Sequence, residues 1–487
     1  MKQVKSTFIF QNIPSDIFKC ISFYLKINEI VALKSSSKTH NKLTKTAISK
    51  HISENRWSCE SLTKLPIKLH KYVTVLDCQN TSYDIIVFPN NLEQLIFSNK
   101  CDPSIFTSVF PETLTHLTIG DTFNQQVRVN VLPSTLTHLT FGWNFNKKIG
   151  IGVLPANLTH LTFGRNFNQT FDKGVLPSGL IELTFGFDFN QKFEKGVLPS
   201  NLTHLTFAPT YNKQIKKDVL PLSITNLIIG ESFEQIFTDG LGSLCLGITH
   251  LTIEWNFSRP IFKGFFSSSI THLNVTNCWS DNFEYKISKE DFPPNLTHLT
   301  LGDDFNHPIS FGVLPSNLTH LSFNWNFNQP IEKGVLPSNL THLSFGWKFN
   351  QPIEKGVLPT SLKYLKFGRR FNRPIGTGIL PTGLKYLNVG RDFNQPIGDC
   401  ILPIGLKHFN LWDISNVFYN IDDDNIDDDT AYNFTNTGNN TFTWTNAFNV
   451  TAFTTIPRGQ YTIEQLLALI NTAFTPNGSV SLILNST

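Results

Sequence analysis

The chain has 487 residues, 40% of them hydrophobic, and a net charge of only +3 from 40 basic and 37 acidic side chains. A chain this apolar buries a core, and so balanced a charge supplies no basic arm for nucleic acid. No run approaches the roughly 20 apolar residues of a membrane span, and the opening MKQVKSTFIFQNIPSDIF holds no signal-peptide stretch, so a soluble cytoplasmic protein without membrane contact is expected.

Seven cysteines, at 20, 59, 78, 101, 245, 278 and 400, are odd in number and lack any CxxC or metal-finger spacing. They read as free thiols in a reducing compartment.

Residues 1–60 carry helix signals. Ser15 or Asp16 can cap a helix in which Ile17, Ile21 and Leu25 recur every fourth residue, and Asn28 can cap a second bearing Ile30, Val31 and Leu33. With Phe18 and Tyr24 the first stripe is wider than a helical pair can bury alone. The pattern Ile13-Pro14-x-Asp16-Ile17-x-x-x-Ile21-x-x-x-Leu25, followed by Leu33 and Ser37-Lys38, resembles the F-box, with Ile13 and Asp16 in place of its Leu and Glu and no Trp after Lys38. The resemblance implies docking to the Skp-type adaptor of a cullin-RING ubiquitin ligase through Ile13, Pro14, Ile17, Ile21 and Leu25. A competing reading is a helical cap over the open edge of the repeats that follow.

From residue 61 to 412 a 22-residue period takes over. Its proline falls at 89, 111, 133, 155, 177, 199 and 221 and again at 293, 315, 337, 359, 381 and 403, while Cys245 and Ser267 stand in between with spacings of 24, 22 and 26. A fixed short period over this length is the mark of a solenoid, whose coils bury apolar faces only against their neighbours. In LTHLTF (Leu158 to Phe163), alternation puts Leu161 and Phe163 on one strand face and His160 and Thr162 on the other. Phe167, Phe171, Val175 and Leu176 add core on the return, and Gly174 and Pro177 leave no room for a helix. Some fifteen coils would stack into a parallel sheet with strands about 4.8 Å apart.

Leu158-x-x-Leu161-x-Phe163-x-x-Asn166 fits the leucine-rich consensus. The fold expected is a leucine-rich-repeat-like parallel β horseshoe with few helices. Two Asn columns compete for the turn position. Asn144, Asn166 and Asn326 share theirs with Lys348 and Arg370, whereas the column inside FN (Asn146, Asn168, Asn328, Asn350 and others) is more uniform and is favoured. Units ending FNQPI, at Phe327, Phe349 and Phe393, resemble the FNIP repeat family of social amoebae and their giant viruses.

Within each coil two columns invite chemistry. A His column (His116, His138, His160, His204, His250, His272, His298, His320, His342) projects opposite the leucines. Metal sharing and simple self-stacking are its two readings, and the lack of a Cys or carboxylate column favours stacking. Two residues before each FN phenylalanine the copies disagree, with Trp143, Arg165, Trp255, Trp325, Trp347, Arg369 and Arg391 among them. Trp and Arg are common interface anchors, so this column reads as a recognition strip for a protein target. The rival reading packs the same side chains over the turn glycine.

No GxSxG, HExxH, Walker or dinucleotide motif is present, so neither catalysis nor a cofactor or metal is expected. Residues 413–455, with IDDDNIDDD and an Asn/Thr-rich stretch, read as a linker, and 456–487 as a small strand-helix-strand piece.

Overall fold

The computed structural model describes residues 52–53, 56–58, 62, 67–78, 88–97, 110–216, 218–230, 232–233, 247–254, 266–276, 288–395, 397 and 401–411, and the backbone of 433–436, 441–445 and 451–455. The F-box-like residues Ile13, Pro14, Ile17, Ile21 and Leu25, and Trp255 of the strip, lie outside the described residues.

The chain divides into two compact units, Met1–Ala208 and Pro209–Thr487. In the first, the described strands β1 (Arg56–Ser58), β2 (Val75–Cys78), β3 (Gln94–Phe97), β4 (His116–Thr118), β5 (His138–Thr140), β6 (His160–Thr162), β7 (Glu182–Thr184) and β8 (His204–Thr206) pair in parallel, each with the next. In the second, β9 (Asn226–Ile229), β10 (His250–Ile253), β11 (His272–Val275), β12 (His298–Leu301), β13 (His320–Phe323), β14 (His342–Ser344), β15 (Tyr364–Lys366), β16 (Tyr386–Val389) and β17 (His408–Leu411) do the same. Among the described residues helix is limited to the four-residue α1 (Ile67–His70), a 3-10 turn at Lys289–Asp291 and the helical residues 52–53 and 62.

Strands of three or four residues follow from the sequence itself. In most coils a Gly just past the strand's last apolar residue ends it, and a Pro three residues before the first Leu starts a turn in which, as at Leu340, the Leu N–H donates to the Pro337 carbonyl at 3.1 Å. Irregular spacing does not break the register. The 24- and 26-residue coils still align Leu251 with Leu227 and Leu299 with Leu273, because the pairing depends on the Leu and not on the length of the return.

The core is a set of one-per-coil columns. Leu158, Leu161, Phe163, Phe167, Phe171, Val175 and Leu176 are all buried, as the sequence predicts. Phenylalanines pair within a coil, Phe163 on Phe167 at 3.9 Å, and between coils, Phe163 on Phe185 at 5.7 Å. Each such ring contributes about 1.5–3 kcal/mol through burial alone, so the phenylalanines among the described residues are largely scaffold.

Two expectations change. Cys78, buried at the end of β2, is disulfide-bonded, so the chain does not carry seven free thiols. Spacing along the chain does not reveal which sulfurs folding brings together. The Asn/Thr-rich stretch read as linker carries β18 (Asn433–Asn436), β19 (Thr441–Thr445) and β20 (Thr451–Thr455), antiparallel, with β18 pairing β17. Alternating Thr and aromatic residues, as in TFTWT, favour strand over coil there.

Candidate interaction surface

In most coils the variable strip follows a glycine, although Asn324 precedes Trp325 and Ala208 holds the place in another coil. A Cβ placed on Gly164 would lie 2.1 Å from the Gly142 carbonyl oxygen, and one on Gly368 would lie 1.7 Å from that of Gly346. Only glycine lets successive coils approach this closely at the end of the strand. The backbone ladder then resumes one residue later. The Trp325 carbonyl accepts from Lys348 N–H at 2.9 Å, and the Trp347 carbonyl from Arg370 N–H at 2.9 Å. Strip side chains are thus held in register, one coil above the next.

They point outward. Trp143 is 59% exposed and Trp325 42% exposed, and Arg165 and Arg391 are exposed, while Phe145, Phe167, Phe327 and Phe393, two residues on, are buried. Trp347 and Arg369 are half-buried because they cover one another. Trp325 stacks on Trp347 with centroids 4.5 Å apart and planes 9° off parallel, and the Arg369 guanidinium lies 4.4 Å from the Trp347 centroid. In the first unit Arg165 sits 5.0 Å from the Phe187 ring, and Asp121 Oδ1 accepts from the Trp143 N–H at 3.2 Å. The strip is therefore no core column: the Gly turn resets the inside-outside alternation that a continuing strand would have imposed.

The histidines form a second ladder on the strand face. His116, His138 and His160 stack at 4.0 and 4.1 Å, and His250, His272, His298, His320 and His342 at 3.9 to 4.0 Å. The preceding threonine orients each ring. Thr319 Oγ1 donates to the Thr297 carbonyl at 3.1 Å and so accepts from His320 Nδ1–H at 2.9 Å. Burial, then the neighbouring imidazoles, push His272 down to about 4 and hold His138, His298 and His320 below the ordinary 6.5, and burial lowers His342. Parallel rings aim their lone pairs side by side and not at one point, so adjacent imidazoles cannot chelate one ion. Among the described residues no group of three His, Cys, Asp or Glu is placed to hold a metal.

The FN asparagines make the third ladder. Oδ1 of Asn306, Asn328, Asn350 and Asn372 accepts the backbone N–H of the equivalent Asn one coil on, at 2.8 to 3.0 Å. The rival column bonds only side chain to side chain, as Asn166 Nδ2 to Asn144 Oδ1 at 3.0 Å. The favoured column thus serves the backbone, although its members are half-buried and not fully enclosed.

The FNIP Repeat model matches residues 104–144, 145–188, 189–232, 283–325, 327–370 and 371–411, more than half of the chain. This chain belongs to the FNIP repeat family. Each FNIP match covers two of the coils described above. Among solved structures it resembles CroV588, a giant-virus protein described as a novel circular LRR protein, at 43% identity over 72% of this chain and 50% of that one, with a TM-score of 0.55. It is also similar to a chain of the Drosophila Toll–Spatzle complex (14% identity, 66% of this chain and 46% of that one, TM-score 0.43) and to an internalin of Listeria monocytogenes (17%, 58% and 82%, 0.34). The FNIP chain spans about half the length of the first two. No curated protein sequence matches it.

For the FNIP solenoid these results support a repeat scaffold suited to protein interaction. Among the described residues no helix is long and apolar enough to cross a membrane. The sequence singles out this variable column but does not reveal that its members stack on each other. Not among the expected site residues are Lys363, Lys385 and Lys407, where KYL and KHF replace THL in the last three described coils. That departure from the repeat was the available signal.

Proposed function

We propose that the chain is a protein-interaction adaptor, the substrate-recognition subunit of an SCF-type ubiquitin ligase acting in the cytoplasm. The solenoid selects a protein target through Trp143, Arg165, Trp255, Trp325, Trp347, Arg369 and Arg391, and the F-box-like segment docks a Skp-type adaptor through Ile13, Pro14, Ile17, Ile21 and Leu25. The observation that carries target binding is the outward stack of Trp325, Trp347 and Arg369, in a column whose residue varies widely along the repeat. Large aromatic and guanidinium surfaces already ordered before a partner arrives lose little entropy on binding. The ligase link rests on the sequence resemblance of residues 10 to 50.

Capture of a purified Skp-type adaptor tests that link. The intact chain retains the adaptor, and Ile17→Asp with Ile21→Asp abolishes retention while the solenoid stays folded. Failure of the intact chain to bind, with solenoid unfolding when residues 1–60 are removed, favours the alternative of a repeat scaffold with a helical cap.

A further inference from the structure

The exposed face changes chemistry over its last three described coils. The residue that enters the strand is threonine at 297, 319 and 341, and lysine at 363, 385 and 407. The His column becomes Tyr364 and Tyr386 before returning at His408. Residues 359–411 hold eight Lys and Arg against two Asp, a net +6 within a chain whose total is +3.

This charge is built into the coils. Lys363, Lys385 and Lys407 are all exposed and follow one another in register, each N–H donating to the carbonyl of the one before at 2.8 Å. Lys385 Nζ donates to the Gly405 carbonyl at 3.2 Å. A Cβ on Gly383 would stand 2.7 Å from Lys363 Nζ, and one on Gly405 2.9 Å from Lys385 Nζ. Lys363 and Lys385 are thus each matched by a glycine in the next coil, at a position where several THL coils carry an Asn such as Asn339. Like charges held in register oppose folding, and an anionic ligand along the column would offset that repulsion.

Ring stacking decides the class of anion. The ring faces are already occupied, Tyr364 on Tyr386 at 4.3 Å, and Trp347 between Trp325 and the Arg369 guanidinium, so nucleobases find no platform to stack on.

We infer that this three-coil face binds an acidic polypeptide segment of a partner, its carboxylates on Lys363, Lys385, Lys407, Arg369 and Arg391. The inference rests on the interaction role proposed above and gives the partner its chemistry. The full-length chain is titrated with fluorescent dodecamers of glutamate, of glutamine and of uridylate at about 50 mM salt, where surface pairing is weakly screened. Oligoglutamate binds, oligoglutamine does not, and Lys363→Thr/Lys385→Thr/Lys407→Thr weakens binding about tenfold, the sum of three modest exposed pairs. Threonine is what the other coils carry there, so folding is preserved. Lys173→Thr/Lys333→Thr/Lys355→Thr, altering lysines on the outer turns, leaves binding unchanged.

The inference fails if the intact chain ignores oligoglutamate, if both triple variants lose equally, or if oligouridylate binds more tightly than oligoglutamate. It also fails if binding appears only after Asp422, Asp423, Asp424, Asp427, Asp428 and Asp429 are changed to Asn, since the face would then be filled by this chain's own acidic run. Trp325→Ala/Trp347→Ala leaves oligoglutamate binding within about threefold, too little for a lost anchor. Loss of the basic face and loss of target selection by the tryptophans are therefore separate outcomes.

Discussion

Trp325 and Trp347, separated by one coil, lie face to face with ring centroids 4.5 Å apart, and the Arg369 guanidinium extends the stack 4.4 Å beyond Trp347. The same 22-residue step that builds the core also orders two tryptophans and an arginine on the outside. Trp347→Ala removes the middle of this stack. We expect a stability loss of only about 1 kcal/mol, because the ring is half-buried, but at least about tenfold weaker target binding. Urea denaturation and target titration on the same variant check the split, and a large stability loss with unchanged binding would make the strip structural.

The imidazole ladder makes the fold acid-sensitive. Burial and neighbouring rings hold His138, His298 and His320 below 6.5, and His272 at about 4. The unfolded chain then binds protons that the folded ladder resists, so stability is complete above about pH 6.5 and falls as pH drops toward 4. Urea midpoints measured across that window should decline. His272→Tyr, using the side chain found at 364 and 386, should flatten the decline; an unaltered slope counts against the ladder as its source.

Gly164 and Gly174 are constrained for different reasons. A Cβ on Gly164 would meet the Gly142 carbonyl at 2.1 Å, whereas Gly174 has φ +86 and nothing within 4 Å. Gly164→Ala should cost about 1–3 kcal/mol or more by forcing coils apart. Gly174→Ala should cost about 1 kcal/mol, and Gly174→Asn less, since Asn130 at φ 64 occupies the equivalent place. Denaturation midpoints rank the three, and the reverse order would refute the close-approach argument.

Asn328 Oδ1 accepts from Asn350 N–H at 2.8 Å, and Gln351 Nε2 donates to the Asn328 carbonyl at 3.0 Å. Asn328→Ala leaves a half-buried backbone donor without its acceptor, a loss of about 1–2 kcal/mol, and Asn328→Asp keeps the acceptor and loses less. Amide exchange at Asn350 should accelerate in the Ala variant and stay slow in the Asp variant.

How far the sequence carries differs by feature. Leu161 and Phe163 declare their burial by alternation, and Asn328 declares its column by repetition. Trp347 was marked as exposed only by its disagreement with Arg369, since one position cannot hold both in a core. The Lys363–Gly383 match was present in the letters but not legible, because the two residues meet only when one coil lies on the next.

By itself the amino-acid sequence determined the coil. A 22-residue period with Leu and Phe at set places admits one parallel stacking, because each coil can bury its apolar face only on a copy of itself. Only the tertiary structure decided what the outer columns do. Stacking distance, the outward turn after Gly164 and the pairing of Lys363 and Lys385 with glycines depend on contacts between coils, and those separations exceed any local pattern.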